Sequence, residues 1–237
     1  MKEIQGHGVA MITPFKENGS IDYDAIPSIV NHLIEGGVNY LVVLGTTAET
    51  ATLSREEKTS LVESIIAANS GRLPLVIGFG GNHTAALLEM FDWFDLSAFT
   101  AVLSVAPYYN KPNQEGLYQH FKTIANHSPL PVILYNVPSR TGVNIAPETV
   151  LRLATDFKNI VGLKEASGDF QQAQTLIKTC PSNFHILSGD DEMSLPMILA
   201  GAKGVISVIG NAIPEIYTKL IEKGINREVA SAYDHQY

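Results

Sequence analysis

Lys164 closes the apolar run Ile160-Val161-Gly162-Leu163, where a buried strand should end without charge. Desolvation there disfavours the ammonium form and lowers a pKa that is about 10.4 in water. A fall of about three units corresponds to roughly 4 kcal/mol, within what burial supplies. The neutral amine attacks a ketone and forms a Schiff base, an electron sink for carbanion chemistry. The competing reading is a salt bridge with Glu165 or Asp190. Glu165 follows directly, however, and points to the other face of a strand.

Other candidates sit at comparable places. Tyr135 ends the run Val132-Ile133-Leu134 and could shuttle protons, or simply fill the core with its hydroxyl satisfied. Thr46 and Thr47 follow Gly45, where hydroxyls and backbone N–H groups can hold a carboxylate, although loop structure alone would also explain the pair. Arg140 offers a planar fork for a carboxylate, or is merely solvated. Glu49 reads as a structural carboxylate fixing the threonine loop, and Asp190 and Asp191 as loop or cap residues. No His-x3-His pair or carboxylate triplet marks a metal site, so none is expected.

These residues need a frame that brings strand ends together. Eight strand-like runs occur: Gly8–Thr13, Tyr40–Leu44, Leu75–Phe79, Ala101–Ala106, Val132–Asn136, Ile160–Lys164, His185–Ser188 and Gly204–Ile209. Several are continuously apolar, as parallel strands buried on both faces require. Helix-period segments alternate with them. Ile26, Ile29, Val30, Leu33 and Ile34 share one face, with Asp22 as the expected N-cap and Gly36-Gly37 as the stop. Ser54-Arg55-Glu56-Glu57 fits a capping box. A third helix is expected to carry Leu87, Leu88, Phe91 and Phe94. The pattern predicts a (β/α)8 TIM barrel over residues 1–224, leaving residues 225–237, too few for a second domain. A doubly wound dinucleotide fold is the alternative, but Gly78-Phe79-Gly80-Gly81 lacks the third glycine of its fingerprint. In a barrel the strand C-termini surround one mouth, which gathers Thr46, Thr47, Tyr109, Tyr135, Arg140, Lys164, Gly189 and Ile206.

The bulk properties fit. A net charge of −8 argues against nucleic acid as a partner. No apolar run is long enough to cross a membrane, and the first residues lack the apolar core of a secretory leader. One cysteine, Cys180, excludes an internal disulfide and suits a reducing cytoplasm.

Gly45-Thr46-Thr47-x-Glu49, Pro107-Tyr108-Tyr109-Asn110, Tyr135-Asn136-Val137-Pro138-Ser139-Arg140-Thr141-Gly142, Gly162-Leu163-Lys164-Glu165-Ala166 and Ser188-Gly189-Asp190-Asp191 closely resemble the motifs of the dihydrodipicolinate synthase family, in order and spacing. The resemblance implies a class I aldolase-type lyase of the diaminopimelate route to lysine. Pyruvate would form a Schiff base on Lys164, its enamine would add to L-aspartate-4-semialdehyde, and no cofactor or metal would be required. It further implies a proton relay of Thr47, Tyr109 and Tyr135, with Tyr109 reaching the neighbouring subunit's site in a tight dimer, two such dimers making a homotetramer. Arg140 would hold the semialdehyde carboxylate, Thr46 and Thr47 that of pyruvate, and Gly189 and Ile206 would line the pocket.

N-acetylneuraminate lyase shares the lysine chemistry, but Thr46-Thr47 and Pro138-Ser139-Arg140-Thr141-Gly142 favour the synthase. An inactive barrel that senses a pyruvate-like ligand is the non-enzymatic alternative. Three departures from the pattern stand out. Ala48 replaces a glycine, which would cost about 1 kcal/mol if its φ were positive. In the family's lysine-effector cleft, Thr50, Ala51, Asn82 and Tyr108 are compatible, whereas Arg55, Lys58 and Ala86 replace histidines and a glutamate. Weak or absent inhibition by lysine is therefore expected. Family members also continue further at the C-terminus, which points to a shortened form.

Overall fold

A computed structural model describes residues 4–236. Its strands are β1 (Gly6–Ala10), β2 (Tyr40–Val43), β3 (Leu75–Phe79), β4 (Ala101–Val105), β5 (Val132–Asn136), β6 (Ile160–Glu165), β7 (His185–Ser188) and β8 (Gly204–Ser207). They form one closed parallel barrel in sequence order, with β8 pairing back onto β1. The helices are α1 (Ile26–Glu35), α2 (Arg55–Asn69), α3 (Thr84–Glu89), α4 (Gln114–His127), α5 (Pro138–Thr141), α6 (Pro147–Asp156), α7 (Phe170–Thr179), α8 (Ser194–Ala200), α9 (Pro214–Ile225) and α10 (Val229–Gln236). The expected (β/α)8 fold is present.

Period-two alternation divides each strand between two cores. Ala101 and Leu103 of β4 face the barrel interior with Tyr40, Val42, Val76, Ile133 and Leu187, whereas Val102 joins the larger core against the helices. Tyr40 plugs the interior, its hydroxyl donating to the Val205 carbonyl at 3.0 Å. The interior is therefore packed, which leaves the C-terminal rim as the place for a site.

Local chemistry sets the element ends. Ser54 and Glu57 cap α2 reciprocally, as the capping box predicts. Gly36 ends α1 and Gly37 turns the chain at φ 77°. Asp22 does not cap α1: it precedes a 3₁₀ turn, Tyr23–Ala25, and the helix starts after Ala25. The third helix stops at Glu89; Phe91 lies in the 3₁₀ turn Met90–Asp92 and Phe94 just beyond it, and both pack on Phe79. β1 begins earlier than its apolar run because Gly6 and Gly204 bring the two backbones together; a Cβ on Gly204 would lie 2.1 Å from the Gly6 carbonyl oxygen. At the other end Ala232 of α10 packs into a cluster with Leu195, Ile198, Tyr217, Leu220 and Ile221.

Candidate active site

β5 and β6 bring Tyr135 and Lys164 side by side. Their pairing shifts register between Val132 and Ile133, so that Ile133 faces Gly162 rather than Val161. This bulge makes Lys164, not Leu163, the partner of Tyr135. Both side chains enter the barrel, and Lys164 Nζ lies 4.6 Å from the centre of the Tyr135 ring. Gly162 permits the arrangement, since a Cβ there would stand 2.7 Å from the His185 carbonyl oxygen on β7. On the next strand Gly189 leaves room for the lysine: a Cβ would meet Lys164 Cε at 2.9 Å.

Lys164 is buried, at 4% exposure, and has no ion pair among the described residues. Burial lowers its pKa from 10.5 to about 8; the Asp191 charge opposes this and the Arg140 charge adds to it. At neutral pH roughly a tenth of the amine is thus unprotonated, hundreds of times more than for a free lysine. Burial raises the Tyr135 pKa, offset in part by the Thr46 side chain and the positive charge of Arg140.

The salt bridge weighed for Glu165 is absent, because its carboxylate faces away from the lysine. It is 2% exposed and is held without a cation. The Asn136 side-chain amide, the Ser167 N–H (2.7 Å) and the Gln172 side-chain amide (3.0 Å) all donate to it. Asn144 bonds Asn136 and Gln172 in turn, and Asn136 accepts from the Ile145 N–H. This network ties the ends of β5 and β6 to α7 and fixes the strand end that carries Lys164. Three side-chain amides, Asn136, Asn144 and Gln172, and one carboxylate near two strand ends are the signal by which the sequence could have shown it.

The threonine loop is a 3₁₀ turn, Thr46–Ala48. The Thr13 hydroxyl donates to the Ala48 carbonyl (2.7 Å) and the Thr50 hydroxyl to the Gly45 carbonyl (2.9 Å). Glu49 does not fix the loop through its carboxylate: that side chain is exposed, and the residue takes part through its backbone, its N–H donating to the Thr46 carbonyl and its own carbonyl accepting from Thr52. Ala48 has no positive φ; the left-handed residues are its neighbours Leu44 (φ 57°) and Glu49 (φ 55°), so the alanine carries no strain of that kind.

A cavity of about 510 Å³ opens at this rim. Thr46, Thr50, Ala51, Lys58, Tyr108, Tyr135, Val137 and Arg140 are among the residues that line it. Thr47, Asn82, Tyr109, Lys164, Gly189 and Ile206 are not among the residues that line it. Arg140 reaches it from α5, which begins at Pro138 and ends at Gly142 (φ 74°). Ile206 is fully buried in the barrel interior. Tyr109 stands apart, 84% exposed and held at φ 73°. Asp191 accepts from the N–H groups of Val208 (3.0 Å) and Ile209 (2.8 Å), clamping the β7 end to the loop after β8. No cluster of three or more His, Cys, Asp or Glu fit to hold a metal occurs among the described residues. Nor is any described helix long and apolar enough to cross a membrane.

The profile of the dihydrodipicolinate synthetase family matches residues 3–237. A curated relative from Flavobacterium psychrophilum, named 4-hydroxy-tetrahydrodipicolinate synthase, is 57% identical over 237 residues, covering 100% of this chain and 81% of that protein. Among solved structures, the 4-hydroxy-tetrahydrodipicolinate synthase of Methylacidiphilum fumariolicum SolV superposes with a TM-score of 0.95 at 41% identity, covering 98% of this chain and 77% of that one. The chloride-inhibited dihydrodipicolinate synthase of Acinetobacter baumannii, complexed with pyruvate, gives 0.94 at 41% identity, covering 98% and 80%.

Proposed function

Because the chain belongs to the dihydrodipicolinate synthetase family, we propose that it condenses pyruvate with L-aspartate-4-semialdehyde through a Schiff base on Lys164. The observation that carries the reading is a buried, unpaired lysine with a lowered pKa beside Tyr135 at the mouth of the barrel.

The neutral Nζ attacks the pyruvate keto carbon, and the carbinolamine loses water to give an iminium. The iminium draws electrons from the adjacent methyl, which loses a proton and becomes the enamine carbon. That carbon bonds to the aldehyde carbon of the second substrate, whose oxygen becomes the 4-hydroxyl. The semialdehyde amine then displaces Nζ from the imine carbon, closing the ring and freeing the lysine. The iminium is itself the electron sink, so the reaction needs no further cofactor.

Tyr135 lies where a hydroxyl can carry protons to and from the carbinolamine. Its relay partner is Thr46 rather than Thr47, a reading supported by the influence of the Thr46 side chain on Tyr135 and by its place in the cavity wall. Arg140, without an ion pair of its own among the described residues, holds the semialdehyde carboxylate. The pyruvate carboxylate rests on the threonine loop, beside Gly189, with Ile206 packed beneath the site in the barrel interior. Tyr109, exposed and in a left-handed conformation, completes the site of a second copy in a homo-oligomer. Cytoplasmic action on these soluble metabolites follows from the same reading.

Turnover tests the substrate. Condensation with aspartate semialdehyde, and none with N-acetylmannosamine, is expected; the reverse preference would assign the chain to the sugar-acid aldolases.

A further inference from the structure

The condensation leaves one carboxylate at the rim without a task. Gly189 carries the chain past Lys164, since a Cβ there would stand 2.9 Å from Lys164 Cε, and Asp191 follows two residues later. The turn between them is held by its own groups. The Ser188 hydroxyl donates to the Asp190 carbonyl (2.8 Å), and the Asp190 carboxylate accepts from the Glu192 N–H (3.1 Å). Asp190 is thus occupied in the turn. Asp191 instead reaches across to the loop after β8, where its Oδ2 accepts from the N–H groups of both Val208 and Ile209. Its Oδ1 is buried and has no hydrogen-bond partner among the described residues. A clamp needs only the first oxygen. The second is a buried acceptor left unpaired, an unfavourable state that calls for a reason.

Titratable groups surround Asp191. Its charge favours the protonated forms of Lys164 on β6 and His7 on β1, and Tyr217 of α9 donates to its backbone carbonyl at 3.0 Å. Arg140 of α5 is the opposing positive charge at Lys164. Other carboxylates of the rim are placed elsewhere: amides hold Glu165 on the far face of β6, and Glu49 is exposed.

The sign of the charge shows what it does. A carboxylate near Lys164 keeps the proton on the amine, so it opposes the attack on pyruvate rather than promoting it. The step after the attack has the opposite need. The carbinolamine takes up a proton and loses water, and Nζ then carries a positive charge that the iminium must keep to draw electrons from the methyl. The free amine escapes the cost of burial by losing its proton; the iminium cannot do so and remain an electron sink.

We propose that Asp191 is the counter-charge of the iminium, a positioning residue that anchors one carboxylate oxygen on the loop after β8 so that the other faces the positive nitrogen formed on Lys164. The inference rests on the reading of Lys164 as the nucleophile.

The pH profile of adduct formation tests it, with the full chain trapped by pyruvate and cyanoborohydride and read by intact mass. The wild type should inflect near pH 8. Asp191→Asn keeps an acceptor for the Val208 and Ile209 N–H groups and removes the charge. Its inflection should move down by about half a unit or more, and its trapped fraction at limiting pyruvate and about pH 9 should fall about ten-fold. Asp190→Asn removes the neighbouring charge and should change neither reading. If Asp191→Asn does not fold, Asp191→Ser is read in the same way. A residue that only clamps the loop would slow Asp191→Asn with the inflection unmoved, and that result would overturn the proposal, as would an equal shift in Asp190→Asn. No adduct in the wild type would instead remove the reading of Lys164 itself.

Discussion

Replacing Lys164 with methionine should abolish activity and, at neutral pH, raise stability. Burial takes the lysine from 10.5 in the unfolded chain to about 8 in the fold. At 1.36 kcal/mol per unit this represents about 3 kcal/mol of cost for holding the ammonium in the barrel. The attraction between Nζ and the Tyr135 ring, at 4.6 Å, returns about 1 kcal/mol of it. Methionine has a similar length and no charge, so about 2 kcal/mol should be recovered, or roughly 4–8 °C in Tm for a chain of this size. The sign follows from linkage. Below pH 8 the lysine is protonated in both states and the whole cost is present. Between about 8 and 10.5 the folded state has released its proton while the unfolded state keeps it, so the wild type gains stability as pH rises. The advantage of Lys164→Met should therefore be full at pH 7 and nearly gone at pH 10. Thermal unfolding by circular dichroism at both pH values reads it. Equal midpoints at pH 7, or an advantage that ignores pH, would refute the claim that the site is built on a desolvated amine.

Other consequences are narrower. Gly189→Ala places a Cβ 2.9 Å from Lys164 Cε and 2.6 Å from the Ala166 Cβ, so the displaced amine should form its Schiff base about 10–100-fold more slowly, measured by trapping with borohydride. Arg140→Ala should raise the KM for aspartate semialdehyde by about ten-fold or more while leaving pyruvate trapping intact, a split visible in steady-state kinetics. Glu165→Ala leaves buried amides unpaired and should cost about 2–3 kcal/mol in urea unfolding, whereas Glu165→Gln should cost less. The rate of Schiff-base formation should climb through pH 8 as Lys164 loses its proton, and a flat profile between pH 6 and 9 would exclude that titration.

The strand bounds expected for β3, β5 and β7 match the observed ones, because parallel strands buried on both faces carry an apolar centre such as Val132-Ile133-Leu134 or Ile186-Leu187 that the sequence shows. Lys164 was legible for the same reason, as a charge where such a segment should have none. What escaped were features that depend on the partner across a ladder or a loop. The bulge between β5 and β6 is a property of pairing, and Val161 looks like any other strand residue. β1 was misplaced because its first residue is a glycine needed for close approach to β8. Propensity does not reveal the 3₁₀ turn at Thr46–Ala48, in which Ala48 is spared the positive φ that Leu44 and Glu49 adopt. Glu165 was placed on the correct face by simple alternation, but the amides that hold it come from three separate segments of the chain.

The central claim is that Lys164 is the nucleophile toward pyruvate. Incubation with pyruvate and sodium borohydride, followed by peptide mass analysis, measures it directly. The account predicts one reduced pyruvyl adduct on the peptide containing Lys164, lost in Lys164→Met. No adduct, or an adduct on another lysine such as Lys58 or Lys111, would contradict it.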